Sequence, residues 1–125
     1  VTNGGDNTVT AINAETLAEV ATIPVGESPH GARPSPDGKW IFVANANDTT
    51  LSVIETASNT RLEEIEVGER PVQVAFSPDG AFVYVSLNGD NALGKVDVAT
   101  RTLVMWRPVR WLIRLKSEPD LSKYL

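Results

Sequence analysis

Through residue 105, short runs of apolar and β-branched side chains alternate with polar turns rich in Gly, Pro, Asn and Asp. Residues 39–45, Lys-Trp-Ile-Phe-Val-Ala-Asn, are aromatic and β-branched and read as a strand. A polar turn follows at 46–49. Residues 50–55 then alternate, with Leu51 and Val53 on one side and Ser52 and Ile54 on the other. After a second turn at 56–60, residues 61–67 alternate again, setting Leu62 and Glu64 opposite Glu63, Ile65 and Val67. Gly68-Glu69-Arg70-Pro71 closes the unit, and 72–76 opens the next. Helix caps and a 3.6-residue spacing of apolar positions are absent, so the pattern predicts an all-β chain.

The pattern is also periodic. Residues 1–42 lie over 43–84 without a gap, 14 of those 42 positions are identical, and Val85 opens a third copy. A fixed period of this length marks one supersecondary unit copied side by side. Four antiparallel strands in some 42 residues is the size of one β-propeller blade. Helical arrays of similar period need two or three helices per unit, which the strand pattern excludes. The turns carry their own mechanism. In Ser-Pro-Asp-Gly, at 35–38 and 77–80, proline presets φ for the first central position, aspartate bonds the local backbone, and glycine accepts the positive φ that follows.

The recurring residues resemble a family. Val1-Thr2-Asn3, Asn7-Thr8-Val9, Ile12, Val25-Gly26, Pro29-His30-Gly31 and Ser-Pro-Asp-Gly are similar to the YVTN-type β-propeller repeat, named for Tyr-Val-Thr-Asn. The second copy reads Phe42-Val43-Ala44-Asn45, and the third, Tyr84-Val85-Ser86-Leu87, departs at its last two positions. The resemblance implies a ring of about seven blades, exported to the periplasm or the extracellular surface. It also implies a phase, with the first strand of each blade lining the channel and the fourth lying outside. Inner strands are then expected at 31–35 and 72–77, and second strands at 39–45 and 81–87. Third strands fall at 8–13, 50–55 and 92–98, and outer strands at 19–25, 61–67 and 103–109. On this phase the chain starts late in a second strand and holds fewer than three full blades, an incomplete ring. A ring of four or more blades needs roughly 160 residues. The expected partners are therefore the remaining blades of a longer chain, of which this is a fragment, or other copies of itself.

Charge changes the picture near the end. The net charge is −5, but residues 1–105 hold six Lys/Arg against fourteen Asp/Glu and residues 106–125 hold five against two. The acidic repeat region argues against nucleic acid as a partner. The sign change divides the chain into repeats at 1–105 and a divergent basic tail at 106–125. The tail reads as a degenerate start of the next blade, with an inner strand at 112–116, as a foreign end, or as a basic amphipathic segment. No apolar run is long enough to span a membrane, and the absence of cysteine removes disulfides, thiolate metal sites and cysteine nucleophiles.

Candidate chemistry is sparse. No nucleophile–base–acid set, metal-ligand spacing or phosphate loop is present, so no catalytic residue, metal site or cofactor is assigned to this segment. Asp6, Asp48 and Asp90 share one repeat position, which turn formation explains better than calcium binding. His30, the single histidine, stands at the start of an inner strand where the next copy has Val72, and is the one candidate for a metal or haem ligand. Loops joining outer to inner strands and second to third strands emerge on one face. They gather Glu27, Ser28, His30, Glu69 and Arg70 with Asn47, Asp48, Asn88 and Asp90 into an acidic, amide-rich rim for an unknown protein or small ligand. The expected function is a non-catalytic binding scaffold within an exported propeller. The alternative, from the resemblance, is a fragment of a haem- or quinone-associated redox propeller or of a lactonase-like enzyme.

Overall fold

The 42-residue unit folds as a four-stranded antiparallel meander, and successive copies stack face to face. The computed structural model describes residues 1–109. A first sheet holds β1 (Thr2–Asn3), β2 (Thr8–Ile12) and β3 (Glu19–Pro24). The second holds β4 (Pro29–Pro34), β5 (Trp40–Asn45), β6 (Thr50–Glu55) and β7 (Thr60–Glu66). The third holds β8 (Pro71–Phe76), β9 (Phe82–Leu87), β10 (Ala92–Asp97) and β11 (Thr102–Pro108). Every pairing is antiparallel between sequence neighbours. The described chain is an all-β partial propeller of two complete blades and three strands of another. The inner strand expected at 112–116 lies outside the described residues.

The inner strands begin earlier than the expected residues 31 and 72. β4 starts at Pro29, paired with Asn45, and β8 at Pro71, paired with Leu87. A bulge follows each proline before pairing resumes at Ala32↔Val43 and Val74↔Val85. Proline lacks an N–H for the ladder, so it suits the first residue of a strand, and the bulge absorbs the irregularity. The charge switch at Trp106 falls inside β11, which runs on to Pro108.

The alternation in each strand marks two interfaces. Leu51 and Val53 pack toward the third blade with Phe42, Ile65 and Val67, meeting Val74, Val83, Val85 and Val96. From the other side of the same strand, Ile54 packs with Val43 against Val9 and Ile23 of the first blade. Shifting Val9, Ile23, Val43 and Ile54 by 42 gives Leu51, Ile65, Val85 and Val96, so both interfaces use the same positions. Burying such side chains stabilises by about 1.5–3 kcal/mol each. Phe42 and Phe76 add an edge-to-face contact across the blades, with centroids 5.3 Å apart.

Two glycines make the stacking possible. A Cβ on Gly31 would lie 2.4 Å from the Val72 carbonyl oxygen, so β4 and β8 come together only over a bare backbone. A Cβ on Gly26 would lie 2.6 Å from the Asn45 side chain. The Val-Gly motif of one blade thus leaves room for the strand-ending asparagine of the next. That asparagine is a hub: Asn45 Nδ2 donates to Thr50 Oγ1 at 3.1 Å and Ser52 Oγ at 3.0 Å. Asn3 does the same to Thr8 and Thr10 at 3.1 and 2.8 Å. In the third copy all three positions change together, to Leu87, Ala92 and Gly94. The larger apolar side chain fills the space that the smaller partners vacate.

Candidate functional site: the loop rim between blades

The site is built from backbone rungs that repeat with the sequence. Ala46 N–H donates to the Ser28 carbonyl at 2.8 Å and Asn47 N–H to that of Glu27 at 3.2 Å. One copy later, Asn88 N–H donates to the Arg70 carbonyl at 2.9 Å and Gly89 N–H to that of Glu69 at 3.0 Å. Each second-to-third-strand turn is thereby tied to the connection entering its own blade from the preceding one. Ser28 and Arg70 both take the left-handed conformation, with φ of 53° and 55°, which turns the chain into the proline that starts the inner strand.

Side chains brace the turns. Asp48 Oδ1 accepts from Thr49 N–H at 2.8 Å, and Asp90 Oδ2 accepts from Glu69 N–H at 2.9 Å. Asn7 Oδ1 accepts from Ser28 N–H at 2.9 Å at the preceding seam. These bonds give Asp48 and Asp90 a structural role, Asp48 within its own turn and Asp90 across to the neighbouring loop. Among the described residues no group of three His, Asp or Glu side chains is placed to hold a metal.

Between the second and third blades the loops enclose an open cleft of about 530 Å³, lined by Ala46, Asn47, Asp48, Thr49, Glu69, Arg70 and Gly89. Four of the nine rim residues named from sequence, Asn47, Asp48, Glu69 and Arg70, are brought together there. Asn88 and Asp90 support it from the adjoining turn, and Asn88 Oδ1 is buried without a hydrogen-bond partner among the described residues. Glu27 and Ser28 belong to the equivalent seam one blade earlier. His30 is exposed on β4, outside the cleft lining, and its carbonyl accepts from Thr2 Oγ1 at 3.0 Å.

Sequence reasoning missed Ala46, Thr49 and Gly89. Gly89 was findable from the 42-residue shift, since it occupies the position of Asn47. A Cβ there would lie 2.7 Å from that of Glu69, so the glycine lets the two loops close up at the cleft. Also missed was a tie between blades: the Arg101 guanidinium sits 4.3 Å from the centre of the Trp40 ring and pairs with Glu63. No local pattern marks that contact, because its three residues come from different hairpins.

Comparison with known proteins agrees with this architecture. Over 84% of the chain, the structure resembles hydrazine synthase of Kuenenia stuttgartiensis, with a TM-score of 0.81 and 29% identity, covering 30% of that protein. Over 85% it resembles the dihydro-heme d1 dehydrogenase NirN in complex with DHE, with a TM-score of 0.75 and 24% identity, covering 23% of that chain. The chain thus spans less than a third of either. No curated protein matches it. The model of one family, described as YNCE-like β-propeller, matches residues 1–109, and the chain belongs to that family.

Proposed function

We propose that the chain is part of a non-catalytic binding scaffold whose ligand or partner seats on the loop rim. The observation that carries this reading is the cleft between the second and third blades, walled by Asn47, Asp48, Glu69 and Arg70. Rigid strands hold its loops, as binding sites on scaffolds require. The rim carries Glu27, Asp48, Glu69 and Asp90 against Arg70, so its chemistry favours a cationic, donor-rich ligand. Export and the finer YVTN assignment belong to the same reading and rest on the repeat motifs. The division at residue 105 belongs to it too and rests on the change of charge sign.

Calorimetric titration of the chain with spermine and with a short oligolysine peptide tests the rim. Salt-sensitive binding that is lost in the Asp48→Asn, Glu69→Gln variant supports it. No binding of either probe, or binding unchanged in the variant, overturns it.

The redox alternative draws on the two similar structures, one a hydrazine synthase and the other a dihydro-heme d1 dehydrogenase. Haem needs axial ligands beside an apolar slot. The chain has one histidine, one methionine and no cysteine, and His30 on β4 and Met105 on β11 lie in different blades. These residues do not make a haem site by themselves, and in this reading further blades supply the rest. A haem titration followed by absorbance, with His30→Ala as control, decides whether His30 contributes.

A further inference from the structure

The two ends of the stack differ in burial. On the first blade Ile12 stands at the position of Ile54, and with no described blade on that side it is 47% exposed where Ile54 is 1%. The third blade has an open side of its own, where Ala75, Tyr84, Lys95 and Met105 lie side by side across β8 to β11. No described strand lies beyond it. Yet Leu93 on this side is 0% exposed and Tyr84 7%, close to the values of their equivalents Leu51 and Phe42 beneath the third blade. Lys95 explains part of this, since its ammonium lies 4.1 Å from the centre of the Phe82 ring and 5.9 Å from that of Tyr84. A lysine stem shields the tyrosine; it does not bring a mid-sheet leucine to zero exposure. Toward the outer edge the shielding stops, with Met105 38% exposed and Arg107, opposite Leu93, exposed as well. The cover therefore lies over the inner and middle strands.

We propose that residues 111–116 of this chain dock on that face, with Trp111, Ile113 and Leu115 turned toward Tyr84 and Leu93. Continuity selects this segment. Val109, where the described residues end, already packs against the cluster of Ala75, Tyr84 and Leu93, so the chain leaves β11 at this face. Reach is sufficient. One blade earlier, the chain crosses from Val67 at the end of the outer strand to Pro71 at the start of the next inner strand in four residues, and Val109 to Ile113 offers as many. Charge decides which side turns inward. Arg114 and Lys116 alternate with the apolar set, and facing the blade they would be buried beside Lys95 and Arg107. Of the three readings of the tail, this one is the start of a further blade; a foreign end or a membrane-directed segment gives no cover to Leu93. The surface is separate from the loop rim and does not depend on the function proposed for it.

Because the chain has no cysteine, one introduced thiol reports the cover directly. Leu93→Cys in the otherwise unaltered chain is expected to react with a maleimide at least about 10-fold more slowly than Ile12→Cys on the first blade. Ile113→Asp combined with Leu115→Asp is expected to bring the two rates together, and Arg114→Asp to leave them apart. Equal rates in the otherwise unaltered chain overturn the proposal, as does protection that survives the double substitution or is lost in Arg114→Asp. Protection that falls on dilution assigns the cover to a second copy and overturns it too. Circular dichroism checks that the variants fold. If Leu93→Cys does not, nitration of Tyr84 mapped by mass spectrometry makes the same test, slow in wild type and fast in Ile113→Asp with Leu115→Asp.

Discussion

Leu17 occupies the left-handed region, at φ 61°, with its side chain 78% exposed. The repeat places Asn59 and Arg101 at the same position and in the same conformation, with φ of 53° and 57°. Leucine gains nothing there, whereas asparagine tolerates the conformation. Leu17→Asn is expected to raise stability by about 1 kcal/mol, read from urea unfolding. The Ser-Pro-Asp-Gly turns show a second residue-level effect. Ser35 Oγ donates to Asp37 Oδ1 at 2.6 Å while accepting from Trp40 N–H, and Lys39 N–H adds a further bond to the carboxylate at 3.0 Å. The serine bond first, and then the backbone bond, hold Asp37 below the ordinary carboxylate value; Asp79 is lowered in the same way by Ser77 and Ala81. Lowered folded values mean that this stabilisation is complete above the ordinary value and is lost as pH falls through the folded one. Asp37→Asn with Asp79→Asn should therefore cost stability at neutral pH and flatten its acid dependence. Unfolding at pH 7 and at pH 3 measures both.

At the scale of the element, the polar network at the strand ends is a cooperative unit. Asn45, Thr50 and Ser52 are buried together, and their equivalents Leu87, Ala92 and Gly94 have all changed. Asn45→Leu alone leaves two buried hydroxyls without their donor and is expected to destabilise by about 1–3 kcal/mol. Adding Thr50→Ala and Ser52→Gly copies the third blade and should recover part of the loss, which a thermodynamic cycle of unfolding measurements reads directly. Element type and order were legible in the sequence because turns and alternation are local signals. The inner-strand starts at Pro29 and Pro71 were not, since a bulge is a relation between two strands. The rim was legible to the extent that topology sends its loops to one face. Its division into successive seams, with His30 outside the cleft lining, depended on how far apart the blades stand.

Across the molecule, each blade packs on its neighbours alone, so stability is a sum of blades and seams. The seam between the second and third blades buries Phe42, Leu51, Val53, Val83, Val85 and Val96 and is tied by Arg101 and Trp40. The seam to the first blade buries four side chains, Val9, Ile23, Val43 and Ile54. Native-state hydrogen exchange is expected to show β2 and β3 opening at lower free energy than β6 and β9; equal protection would mean that the chain unfolds as one unit. By itself the sequence determined the all-β class and the turn chemistry, because strands and turns are written in neighbouring residues, and the period, because the same residues recur 42 positions on; the phase of the strands came from the family resemblance. The tertiary structure decided what lies between copies: the bare-backbone approach at Gly31, the fit of Asn45 over Gly26, the Arg101 tie and the cleft at Glu69 and Gly89. Those contacts join residues tens of positions apart, and only the packing of one blade on the next brings them into reach.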